Sequence, residues 1–111
     1  MTDGVRGAVA RYGALVAAVH RAVVHSAGDT SAAARQAALS GEPAEGALGS
    51  YLDKVRRHAH RITDEDVGAL RAAGLSEDAI FELTGAAAVG AAEVRLAAGL
   101  AALGMPSREA H

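Results

Sequence analysis

Apolar positions recur at helical spacing along most of the chain. Val5, Val9, Val16, Val19 and Val23 fall on overlapping helical faces and predict an amphipathic helix from about Val5 to His25. Ser26-Ala27-Gly28-Asp29-Thr30 follows, with Gly28 suited to a left-handed terminating position and Asp29 and Thr30 suited to N-capping, so a short helix is expected over Ser31 to Leu39. Pro43 cannot continue a preceding helix and biases Glu42 toward extended backbone. A third helix therefore begins between Pro43 and Ser50 and reaches about His58, with Leu48, Leu52 and Val55 inward.

The second half carries clearer boundary signals. Thr63 is a suitable N-cap, Asp64, Glu65 and Asp66 occupy the first turn where the helix dipole favours acids, Val67 and Leu70 face inward, and Gly74 stops the helix. Ser76 caps the longest element, in which Ile80, Leu83, Ala87, Val94 and Ala98 run inward to about Leu103. The fold class read from this pattern is all-α: a small bundle of about five helices without a sheet, in one domain over residues 1–111, with residues 104–111 as a flexible tail.

Composition changes that picture in one respect. The 111 residues include 29 Ala and 13 Gly, while Val, Leu, Ile and Phe together number 23, so large core side chains are scarce. The last helix carries Gly85, Ala86, Ala87, Ala88, Gly90, Ala91, Ala92, Ala97, Ala98 and Gly99, which admits close neighbours from several sides. A thin core and a small-faced helix predict a homo-oligomer with Ala79 to Leu103 at or beside the interface, which Ala91→Glu or Ala98→Glu should break or unfold. The stretch from Gly85 to Gly104 is long and apolar enough to raise a membrane span, but Glu93 and Arg95 lie near its middle and no aromatic belt flanks it. No membrane is expected. Met1-Thr2-Asp3-Gly4 opens on an acid and no signal peptide follows, so a cytoplasmic protein is expected.

The chain has no cysteine, which excludes disulfides, thiolate nucleophiles and Cys-based metal or redox centres within it. A formal charge of −2 argues against a basic nucleic-acid surface. A helix-turn-helix reading of Thr63 to Phe81 fails for the same reason, because its second helix opens Ser76-Glu77-Asp78 and continues with Glu82. No nucleic-acid partner, cofactor or metal is expected.

The candidate site residues are His58, His60 and Asp66, with Asp64, Glu65, Glu82 and Glu93 as further acids. On a continuous helix His58 and His60 diverge by about 200°, and His20 and His25 by about 140°, so neither pair chelates a metal unless the helix has ended. Arg56, Arg57, His58 and His60 also suit a helix C-terminus, and the acids of both first turns suit capping. Beside a pocket, His58 or His60 opposite Asp64-Glu65-Asp66 would form an acid–base pair. Glu93, set among Ala and Gly, requires either solvent or a cationic partner such as an Arg from another helix or subunit; Arg95 faces elsewhere.

The run Arg61-Ile62-Thr63-Asp64-Glu65-Asp66-Val67, then Leu70-Arg71-Ala72-Ala73-Gly74-Leu75-Ser76-Glu77-Asp78-Ala79-Ile80-Phe81-Glu82-Leu83, then a small-residue helix with Arg95-Leu96 and Leu100, resembles the carboxymuconolactone decarboxylase family, which includes the alkylhydroperoxidase-D-like proteins. The resemblance covers Tyr51 to Leu103 and implies an all-helical fold and a trimer or hexamer. Counting back from Gly74, the family's two redox cysteines fall on Ala59 and Ile62, its histidine on Asp66 and its relay glutamate near Ala47, close to Glu45. Dithiol peroxidase chemistry is therefore absent. Two functions are compatible with these residues: a thiol-less binding or structural module whose oligomer offers a small-molecule pocket or docking surface, and a cofactor-independent acid–base enzyme, a decarboxylase or isomerase, acting through His58 or His60 on a small carboxylated or lactone-like metabolite.

Overall fold

A computed structural model describes residues 3–25 and 27–104. Five α-helices follow one another: α1 (Asp3–His25), α2 (Ala32–Ser40), α3 (Gly46–Arg57), α4 (Asp64–Ala72) and α5 (Glu77–Ala102), with a 3-10 turn at Ala59–Arg61. No strand occurs among the described residues, so the chain is all-α, and the expected helices appear within a few residues of their expected bounds. Most of the expected tail, 105–111, lies outside the described residues, as do the side chains of Val5, Val9 and Val16.

Local chemistry sets most of the boundaries. The Ser31 and Ser76 hydroxyls accept from the amides of Ala34 and Ala79, each at 3.0 Å, and so satisfy donors that the first turns of α2 and α5 leave open. At α4 the Thr63 hydroxyl accepts from the Asp66 amide while the Asp66 carboxylate accepts from the Thr63 amide, a reciprocal capping box. Gly41 and Gly74, at φ of 77° and 103°, stop α2 and α4 in the left-handed region that glycine occupies without a Cβ clash.

The linker between α1 and α2 departs from expectation. Gly28 is not left-handed, and Asp29 and Thr30 are not N-caps. Their backbone amides instead donate to the carboxylate of Glu82 on α5, and Ser31 takes the capping role. Gly28 is needed because a Cβ there would lie 2.6 Å from that carboxylate.

Around α5, the core gathers Val24, Leu39, Tyr51, Leu52, Val55, Leu70, Ile80 and Leu83 with the alanines 38, 86 and 87. Leu70, Ala86 and Ala87 are fully buried. Small residues bring helices together here: a Cβ at Gly90 would fall on the backbone carbonyl of Leu39, so α2 crosses α5 at backbone contact distance. Beyond this crossing α2 has ended, and the expected inward positions Val94 and Ala98 lie exposed, Val94 at 70%. On α1, Val19 is likewise 40% exposed, while Val23 is half-buried against the core. The molecule measures 52 × 29 × 21 Å, because two helices longer than twenty residues outrun the three short ones.

Candidate functional site

The sequence-derived residues meet in a way a continuous helix would forbid. α3 ends at Arg57, and His58 turns out of it at φ −143° and ψ 49°, with its amide still donating to the Lys54 carbonyl at 2.7 Å. The 3-10 turn that follows brings the imidazoles of His58 and His60 to 6.1 Å between centroids, edge to face. Both are exposed, and among the described residues neither ring makes a hydrogen bond. No cluster of three or more metal-ligating side chains occurs among the described residues.

Asp66 is engaged elsewhere. Both of its carboxylate oxygens accept from the Lys54 ammonium at 2.9 Å, which ties α4 to α3, and one also accepts from the Thr63 amide. The Lys54 ammonium first, and the Thr63 amide next, hold its carboxyl below the usual range. Asp64 and Glu65 are exposed on the first turn of α4. The histidines thus pair with each other and Asp66 with Lys54.

The densest polar cluster lies on the other side of the fold, around Glu82. Its carboxylate accepts from the amides of Asp29 and Thr30 at 2.8 and 2.9 Å and from the Thr30 hydroxyl at 2.6 Å, with the Arg35 guanidinium at 3.5 Å. The Thr30 hydroxyl, then the two amides, then the Arg35 charge lower its pKa from 4.5 to about 2. Arg35, buried to 4% exposure, also donates to the carbonyls of Val24 and Thr30. It therefore satisfies a carbonyl in the last turn of α1. The sequence marks Glu82 as an acid within an apolar helix, but the residues that hold it lie about fifty positions away.

Glu93 has a partner as its surroundings require, though a different one. His20 Nδ1 on α1 lies 2.8 Å from Glu93 Oε1, both groups partly buried. The helical register places His20 on the α5 side of α1, and this pairing replaces the expected arginine.

Three shallow grooves lie among the described residues. Two flank Phe81, which projects from α5 at 79% exposure. One, of about 320 Å3, is lined by Tyr51, Val67, Ile80 and Thr84, and the other, of about 300 Å3, by Val19, Ala22, Val23 and Gly85. A third, of about 220 Å3, runs between the end of α2 and the faces of α3 and α5 that carry Arg56 and Arg95. His58, His60 and Asp66 line none of the three.

α5 is long and apolar enough to cross a membrane, and little of its apolar stretch is buried within the fold. Its Glu82, Glu93 and Arg95 nevertheless all bond to other parts of the same chain. Compared with known proteins, the chain matches no family profile, no curated protein and no solved structure.

Proposed function

We propose that the protein is a self-associating helical module, a binding or structural unit in which a second copy covers the open face of α5. The observation that carries this reading is Phe81: a 79% exposed aromatic standing between two apolar grooves of its own surface. A knob beside a hole is self-complementary, which suits a twofold contact in which each Phe81 enters a groove of the partner. Phe81, Ala88, Ala92 and Gly99 are all exposed and lie within about 40° of one another around the helix, so two α5 helices can approach closely along them. Burial of each Phe81 contributes about 1.5–3 kcal/mol toward the cost of association. The family resemblance adds the expectation of a trimer or hexamer, of which the hexamer can contain such twofold contacts. The protein acts in the cytoplasm without cofactor, nucleic acid or membrane, and its lack of cysteine leaves it without dithiol peroxidase activity.

Sedimentation equilibrium at tens of micromolar tests the proposal. The expected mass is a multiple of 11.1 kDa, reduced to the monomer by Phe81→Glu or Ala92→Glu with helical circular dichroism retained. A wild-type monomer of ordinary thermal stability overturns it.

A further inference from the structure

The groove between α2, α3 and α5 shares no lining residue with those beside Phe81. Its walls are largely apolar, formed by Leu39, Gly90, Ala91 and Val94, and Arg56 and Arg95 also line it. Among the described residues neither arginine is paired with a carboxylate. The ion pairs among the described residues are His20–Glu93, Arg35–Glu82, Lys54–Asp66, Arg57–Asp53 and Arg71–Glu77. Arg95 donates to the carbonyl of Arg56 at 2.6 Å, and Arg56 donates through Nη2 to the carbonyl of Ala38 at 2.9 Å. The Nε–H of Arg56 is buried with no acceptor, the one side-chain polar atom among the described residues in that state. Among the described residues both guanidinium charges thus meet only backbone carbonyls, and an anion is the partner that suits them best.

We propose that this groove binds a small organic carboxylate with a hydrocarbon body. The carboxylate settles beside the guanidinium groups of Arg56 and Arg95, while the chain lies over Leu39, Ala91 and the exposed Val94. Two cations without a facing acid select a negative head, and apolar walls select a body that inorganic anions lack. At about 220 Å3 the groove is smaller than the roughly 300–1,000 Å3 of pockets for drug-sized ligands, so the ligand is small.

A two-dimensional NMR titration with octanoate, octanol and inorganic phosphate separates head from body. Octanoate is expected to shift the amides of Ser40, Gly41, Ala91 and Val94 and the Arg95 Nε–H signal, and to bind at least about tenfold more tightly than octanol or phosphate. Arg95→Met, at an exposed position, should weaken octanoate about tenfold and leave octanol unchanged. Val94→Asp, which sets a carboxylate in the groove, should abolish binding of octanoate with the fold intact by circular dichroism. Equal affinity for octanol, equal affinity for phosphate, or shifts confined to residues outside the groove would each overturn the assignment.

Discussion

Glu82 gathers the α1–α2 linker onto α5 through four donors, and its carboxylate must be ionised to hold them all well. Its folded-state pKa, about 2, lies below the ordinary 4.5, so its stabilisation is complete above about 4.5 and is lost as pH falls toward 2. Urea midpoints measured at pH 6, 4 and 3 should therefore fall in the wild type, and fall less steeply in Glu82→Gln. Parallel curves for the two proteins would remove Glu82 from the acid transition. Glycine gives a second contrast at this scale. Gly90→Ala drives a Cβ into the Leu39 carbonyl, which belongs to backbone and cannot swing aside, and should cost at least about 1–3 kcal/mol. Gly68 on α4 has nothing within 4 Å of such a Cβ, so Gly68→Ala should stabilise by about 0.5–1 kcal/mol through helix propensity alone. Opposite signs in urea denaturation are the check.

At the scale of the element, the helices whose ends are chemically explicit were legible from sequence. Thr63, Ser76 and Gly74 act through neighbours three to five residues away, so a local pattern contains both partners of each bond. Thr63→Ala removes the hydroxyl that holds the Asp66 amide and should cost about 0.5–2 kcal/mol, with faster amide exchange in the first turn of α4 than elsewhere. Where a partner is remote, local signals mislead. Asp29 and Thr30 have the composition of N-caps, yet Glu82, about fifty residues on, takes their amides. Val94 has the spacing of a core residue, but α2 stops at Ser40 and nothing among the described residues reaches along α5 to cover it. The site shows the same division. That His58 and His60 could meet only past a helix end followed from periodicity, whereas Asp66 facing Lys54, and Arg56 lying beside Arg95, depend on how separate helices cross.

For the whole molecule, the question is what a 26-residue apolar helix does when three short helices and one long one leave a face of it open. The core is built from few large side chains, with alanines 86 and 87 fully buried at its centre, so its stability per residue is limited by how little apolar volume it encloses. A second copy on the Phe81 face, as proposed, would add apolar burial without adding chain entropy within the fold, and would couple folding to concentration by mass action. If folded chains pair and unfolded chains do not, a tenfold rise in protein concentration is worth about 0.7 kcal/mol per chain. That raises the thermal midpoint by about 3–5 °C for a domain of this size. Phe81→Glu should abolish this dependence while lowering the midpoint at high concentration toward the dilute value. Gly68→Ala, on α4 and outside the Phe81 grooves, should shift both midpoints together and leave the dependence intact. A wild-type midpoint independent of concentration over two decades would show that α5 keeps its open face as a monomer.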